Sequence, residues 1–222
     1  STLLASSAAS DVYKRQMDKK VKKLYKGLNG SIKIPADKSI SHRAIMFSSL
    51  ANGKSTIKNF SKGQDPNSTL KIFKQLGVDF NFIDEQTLTV VSPGKFNSTD
   101  TPLDCGNSGT TMRLVSGILA GIEIPTVLIG DESLSKRPMK RIIEPLSLMG
   151  ANIQSTDGHA PLIIQKAPLH SINYTSKLAS AQVKSCILLA GLNTDGTTTV
   201  TEPSISRNHT ELMLKYMGAN IN

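Results

Sequence analysis

Cysteine is scarce, and several other absences narrow the field with it. Only Cys105 and Cys186 occur in the 222 residues, too few for a disulfide framework and without metal-ligand spacing. Both are expected as packing residues in a reducing compartment, with a cytoplasmic location as the default. No apolar run approaches the roughly 20 residues of a membrane-spanning helix, so no membrane is expected as a partner. A credible general acid/base pair is also missing: Asp65 reads as a helix cap, and Asp131-Glu132 as a loop that water can solvate. Aromatic residues amount to 5% of the chain. The basic N-terminal segment holds just Tyr13 and Tyr25, little for nucleic-acid bases to stack on.

The composition is otherwise that of an ordinary globular protein, 38% hydrophobic and 19% charged, long enough for one large domain or two small ones. The net charge of +9 is unevenly spread. Residues 1–26 hold seven Lys/Arg (Lys14, Arg15, Lys19, Lys20, Lys22, Lys23, Lys26) against Asp11 and Asp18, so five of the nine charges sit there. That arm reads as solvated; the cations of the remaining chain are scattered singly, which suits small anions better than nucleic acid. Residues 1–16 are Ser/Ala-rich without an amphipathic period and read as a disordered or non-native extension, with Met17 as a plausible true start.

From there the chain repeats itself. Three apolar helix patterns stop at Leu50-Ala51-Asn52-Gly53, Leu119-Ala120-Gly121 and Leu189-Ala190-Gly191, glycines 68 and 70 residues apart. A second helix pattern in each unit ends at Gly77, Gly150 or Gly218, spaced 73 and 68. Two landmarks keeping one period of about 70 residues predict an internal repeat. Between the helices lie short β-type segments at 55–59, 125–129 and 197–200. Hairpins are expected from 78–82 with 87–91, and from 152–154 with 162–165 around Asp157-Gly158. Second-helix caps are expected at Asp65, Ser135 and Ser206, with a kink at Pro145. The fold class is α/β: three pseudo-symmetric β-α-β-α-β-β units around a threefold axis (about 35–100, 101–168 and 169–222), helices inside, a mixed four-stranded sheet outside each. Residues 17–34 are read as a basic segment and first strand, at about 31–34, partly belonging to a further domain. The third unit stops one residue into its hairpin, so the chain is expected to be cut short.

The repeat gathers chemistry. Its first helices begin at Lys38-Ser39-Ile40-Ser41, at Asn107-Ser108-Gly109-Thr110 and at Ser180-Ala181-Gln182. A threefold arrangement points these N-termini toward one end, where free backbone N–H groups and the positive end of each dipole favour anions. Arg43, Arg113, Arg137 and Arg207 add fixed charge. Three well-capped helices with surface cations would give the same pattern with nothing bound; the recurrence of polar loops and cations at equivalent places favours a receptor for phosphate and carboxylate groups.

Five ordered segments then carry a family resemblance: Lys38 to Ala44 (Lys-Ser-Ile-Ser-His-Arg-Ala), Asp104 to Leu114, Gly130 to Met139, Ser180 to Ser185, and Glu202 to Glu211. Together they resemble the 5-enolpyruvylshikimate-3-phosphate synthases, from about Ile32 to the end of the chain. The UDP-N-acetylglucosamine enolpyruvyl transferases share the repeat. They carry Lys-Asn where this chain has Lys38-Ser39, and a cysteine loop that Cys105 is in the wrong place to supply.

The resemblance implies one domain of a two-domain transferase of the shikimate pathway, in aromatic amino-acid biosynthesis. It would move the enolpyruvyl group of phosphoenolpyruvate to the 5-hydroxyl of shikimate 3-phosphate through a tetrahedral adduct, releasing phosphate. It implies Lys38, Asn107, Gly109, Thr110, Arg137 and Gln182 on phosphoenolpyruvate, with Lys38 also catalytic. Lys38, Ser39, Arg43, Ser180, Ala181, Gln182, Ser206 and Arg207 would hold shikimate 3-phosphate. His209 stands where some relatives place an aromatic ring near the substrate; a surface cap residue is an equal alternative. Lys177 and Lys184 flank a site segment, with plain surface cations as the alternative; Lys136 and Lys140 read as surface cations. No cofactor and no metal are implied, and the full-length protein is expected to be monomeric. Family members run to about twice this length, and their second half supplies acidic groups and further cations. The chain is thus expected to be inactive alone; a stand-alone anion-binding module without turnover is the alternative.

Overall fold

The computed structural model describes Lys23 and residues 27–222. The chain divides into two compact units, with the boundary in sequence between Ile34 and Pro35. In the first, residues 27–34 are exposed and form neither helix nor strand. The strand expected at 31–34 is therefore absent. Ile32 and Ile34 are 86% and 73% exposed, and alternating apolar residues make a strand only against a sheet they can face. The expectations for residues 1–16 and for the basic segment 17–26 lie, Lys23 excepted, outside the described residues.

The second unit is built on three buried helices: α1 (Lys38–Leu50), α3 (Gly109–Gly121) and α6 (Ala181–Gly191). Each starts on a side-chain cap that satisfies a free N–H: Asp37 accepts from Ile40, Ser108 from Thr111 and Ser180 from Val183. They are apolar or small around most of their circumference, as a helix without a solvent face must be. In α3, Thr111, Met112 and every residue from Leu114 to Gly121 are buried. Gly117 lets α3 lie directly on α6: a Cβ there would come within 2.2 Å of the Cys186 carbonyl oxygen.

A second helix in each period packs one stripe inward: α2 (Gln64–Gln75) through Pro66, Thr69, Ile72 and Phe73, α5 (Lys140–Leu148) through Ile142, Pro145 and Leu146, and α7 (His209–Tyr216) through Thr210 and Leu214. A short helix, α4 (Glu132–Ser135), precedes α5. None of the expected second-helix caps acts as one. Gly63, Met139 and Asn208 occupy those N-cap positions without a side-chain bond. Asp65 instead pairs with Lys38, Ser135 donates to the Gly130 carbonyl, and Ser206 donates to Glu202. Pro145 is accommodated within α5.

The sheets differ between periods. The first is antiparallel, ordered β1 (Asn52–Ile57), β3 (Leu88–Pro93), β2 (Asp79–Phe82). The second has the expected four mixed strands, ordered β4 (Leu103–Asp104), β5 (Thr126–Ile129), β7 (His159–Gln165), β6 (Asn152–Thr156), with β4–β5 parallel. Its hairpin turns at Asp157 and Gly158, both at positive φ (51° and 75°), which is the geometry an Asp-Gly hairpin turn needs. The third is a parallel pair, β8 (Asn173–Thr175) with β9 (Thr199–Thr201). Four strands in every sheet was thus correct for the middle period alone: the first lacks the strand expected at 31–34, and the third pairs two strands. The mixed α/β class holds throughout. No helix among the described residues is long and apolar enough to cross a membrane.

Candidate functional site

The N-termini of α1, α3 and α6 open on one cavity of about 480 Å³. Its walls are Ser39 and Arg43 from α1, Thr110 from α3, Ala179, Ser180, Ala181 and Gln182 from the start of α6, and Ile205, Ser206, Arg207 and His209 leading into α7. Every residue expected on shikimate 3-phosphate except Lys38 is in that lining. A larger hollow of about 740 Å³ beside β9 is lined by Lys184 and Glu211, which already neutralise each other. Charge, not size, singles out the first cavity.

Arg43 is buried, and its guanidinium is fixed by three bonds: Nε to Thr210 Oγ1 at 2.7 Å, Nη1 to the Ser39 carbonyl at 3.1 Å, and Nη2 to Ser185 Oγ at 2.9 Å. Of its five donors, two remain for a ligand. Burial lowers its pKa, Glu211 and Asp37 oppose that, and Arg207 adds to it. Arg207 is exposed at the rim. His209 begins α7 with a buried Nδ1 that has no hydrogen-bond partner.

Beside this cavity lies a second cluster, joined to it by Gln182. Gln182 Oε1 accepts from Arg113 Nη1 at 2.7 Å, and its Nε2 donates to Thr110 Oγ1 at 3.0 Å. Arg137 Nη2 donates to Asn107 Oδ1 at 2.6 Å, and Asn107 Nδ2 donates to Asp131 Oδ2 at 2.7 Å. Asp131 is therefore no loose loop carboxylate. It caps α4 through Leu134 N–H, and the bonds from Asn107 and Leu134 lower its pKa despite a small opposing effect of burial. Gly109 is small because two guanidiniums converge over it: a Cβ would lie 2.8 Å from Arg113 Nη1 and 3.5 Å from Arg137 Nη1. Burial, then Arg141 and Arg137, lower the Arg113 pKa. Among the described residues no carboxylate forms an ion pair with Arg43, Arg113, Arg137, Arg141 or Arg207. Cations gathered without a directly paired carboxylate favour an anion.

Lys38 stands apart from the cavity lining. Its Nζ is 2.7 Å from Asp65 Oδ2 on α2, and its side chain is 57% exposed. The loop that carries Asn107 and Gly109 is tied to α1 through buried hydroxyls. Thr111 Oγ1 donates to Ser108 Oγ at 2.7 Å and stands 2.8 Å from Thr69 Oγ1, which is 2.7 Å from His42 Nδ1. With the Thr111 proton committed to Ser108, Thr69 donates to Thr111 and must accept from His42. The proton of His42 then sits on Nδ1, which matches an Nε2 buried without a partner.

Sequence reasoning noted Arg113 as a cation but assigned it to neither substrate, and it did not reach Arg141. The signal for Arg113 was its place one turn after Gly109 on the same helix face. Lys136 pairs with Glu132 and Lys177 is exposed, as surface cations are. Lys184 is not one: its side chain is 12% exposed and lies between Glu202 (2.9 Å) and Glu211 (2.7 Å).

The family model for EPSP synthase (3-phosphoshikimate 1-carboxyvinyltransferase) matches residues 23–222. The 3-phosphoshikimate 1-carboxyvinyltransferase of Thermodesulfovibrio yellowstonii is 54% identical over 209 residues, covering 92% of this chain and 48% of the relative. That of Bacillus cereus strain G9842 is 52% identical over 199 residues, covering 88% and 46%. A solved EPSP synthase of Acinetobacter baumannii superimposes with a TM-score of 0.82 at 45% identity, over 85% of this chain and 44% of that one. The chain spans about half the length of the curated relatives it matches.

Proposed function

Because the chain belongs to the EPSP synthase family, we propose that it forms the wall of a 3-phosphoshikimate 1-carboxyvinyltransferase that binds both substrates. The overall reaction joins phosphoenolpyruvate to the 5-hydroxyl of shikimate 3-phosphate and releases phosphate. In this reading Ser39, Arg43, Ser180, Ala181, Gln182, Ser206 and Arg207 hold shikimate 3-phosphate. Lys38, Asn107, Gly109, Thr110, Arg137 and Gln182 hold phosphoenolpyruvate, with Arg113 beside them. The observation that carries the reading is the meeting of two anion-seeking clusters at one residue, Gln182. Two phosphates and two carboxylates must lie side by side for the transfer, and two adjoining cationic clusters provide for that.

The steps demand proton transfers. The attacking hydroxyl loses its proton and the methylene of phosphoenolpyruvate gains one; the resulting methyl then loses a proton as phosphate departs. Lys38 is proposed to face the phosphoenolpyruvate once its pair with Asp65 opens, stabilising the charge that develops there. No Asp or Glu lines the cavity among the described residues, so the remaining acid/base groups are assigned to the half that the longer relatives possess.

The test is steady-state phosphate release by this chain joined to the remaining half of the T. yellowstonii relative. Release that requires both substrates supports the proposal, as does an Arg207→Ala variant whose KM for shikimate 3-phosphate rises at least tenfold. Binding of shikimate 3-phosphate without release would favour a binding module. No binding at all would sink both readings.

A further inference from the structure

Glu202 lies behind the cavity, not in it, and holds two residues that are in it. Its side chain is 8% exposed. One carboxylate oxygen accepts the backbone N–H of Ser180 at 2.7 Å. The other accepts the hydroxyl of Ser206 at 2.6 Å and the ammonium of Lys184 at 2.9 Å. Lys184 is in turn held by Glu211 at 2.7 Å. Both Glu202 oxygens are thus occupied, and their partners come from the cap of α6, its first turn and the loop leading to α7.

From this arrangement we infer that Glu202 is a positioning residue for the shikimate 3-phosphate site, acting through Ser180 and Ser206. The inference rests on the reading of the cavity as that site. Holding the Ser180 N–H fixes the cap, so Ser180 Oγ accepts from Val183 N–H and keeps its own proton for a ligand. Holding Ser206 stores its hydroxyl at the cavity wall. When a phosphate arrives, the hydroxyl proton turns to it by rotation about one bond, and the carboxylate keeps Lys184 and the Ser180 N–H. No backbone movement is needed, which is preorganisation in its simplest form. Lys184 keeps the carboxylate ionised next to an anion site. Burial works against ionisation, but the bonds from Ser206, Lys184 and Ser180 outweigh it and lower the Glu202 pKa. An amide at this position has one accepting oxygen where the carboxylate has two, and its NH2 would face an ammonium.

The test is a double-mutant cycle on Glu202→Gln and Ser206→Ala, in the chain completed as above, read as separate KM and kcat values for each substrate. We expect Glu202→Gln to raise the KM for shikimate 3-phosphate about tenfold, with kcat and the KM for phosphoenolpyruvate changed less than about threefold. In the Ser206→Ala background the same substitution should cost clearly less, because one of the two groups it acts through is gone. Glu202→Asp keeps the charge on Lys184 but shortens the reach, and should show the same selective effect at reduced size; it is read in place of Gln if the Gln variant does not fold. An unchanged or lowered KM, an equal effect on both substrates, or an additive cycle would overturn the inference. Wild type that fails to saturate with shikimate 3-phosphate would overturn the site reading and this inference with it.

Discussion

At position 42 a histidine sits with both ring nitrogens out of reach of water, one bonded to Thr69 and the other bonded to nothing. Burial lowers its pKa from 6.5 to about 4, against a raising effect of Asp65 and with smaller lowering effects of Lys38 and Arg43. The unfolded chain therefore binds a proton between those values that the folded chain refuses, and stability falls as pH drops from about 6.5 to 4. At about 1.4 kcal/mol per pKa unit the loss is about 3 kcal/mol. Urea midpoints across that range should show the slope, and His42→Gln should flatten it; an equal slope in the variant would rule out His42 as its source. Gly109 is the second residue whose role is readable from distances. An alanine there meets the ends of two flexible guanidiniums, not backbone, so the fold should survive. Gly109→Ala is expected to leave Tm nearly unchanged while displacing Arg113 and raising the KM for phosphoenolpyruvate by roughly tenfold, the loss of about one charge-assisted contact. A lowered Tm with unaltered KM would contradict this. The small loop and its cations were legible in the sequence; the His42 relay was not, because it joins residues 27 and 42 positions apart.

Local signals held at the starts of the three buried helices and failed at the second helices, where another bond competes for the capping side chain. Ser108 and Ser180 cap the helices whose starts the sequence marked, each by a bond to the residue three further on. Asp65, Ser135 and Ser206 carry the same signal, yet all three bond elsewhere, to Lys38, the Gly130 carbonyl and Glu202 in turn. The hairpins were legible because alternation and an Asp-Gly turn are short-range features. The missing first strand was not foreseeable from residues 31–34 alone, since a strand's existence depends on its partners. Helix contact is also non-local, and Gly117 measures it. Its added methyl would press on the Cys186 carbonyl, and backbone cannot swing aside as a side chain does. Gly117→Ala should push α3 from α6 and cost about 1–3 kcal/mol, seen as a Tm lower by several degrees. Because α6 carries Ser180 and Gln182 at its start, the variant should also weaken shikimate 3-phosphate binding. A wild-type Tm would show that the helices have room the distances deny.

On the scale of the whole molecule, the chain gathers cations around the cavity and, among the described residues, lines it with no carboxylate to move a proton. Arg43 and Arg207 both line the cavity, and Arg113, Arg137 and Arg141 stand beside it without carboxylate partners among the described residues. Such cations in a hollow concentrate counter-ions, and salt should weaken their hold. The 222-residue chain is therefore expected to bind shikimate 3-phosphate measurably in a calorimetric titration, more weakly as ionic strength rises, and phosphoenolpyruvate hardly at all. Phosphate release is a different demand. Each positioned proton-transfer group contributes typically about 10²–10⁴-fold, and closing a second wall over the ligands would strengthen every charge contact by excluding water. With both substrates present the chain alone should release no phosphate above background, and supplying the remaining half of a relative should restore turnover. Lys38→Ala in that restored protein should abolish most of it, since the ammonium now paired with Asp65 is on a side chain 57% exposed that can turn toward a ligand. Robust release by the chain alone would mean that Asp65, freed from Lys38, or another carboxylate assigned here to structure takes the proton instead.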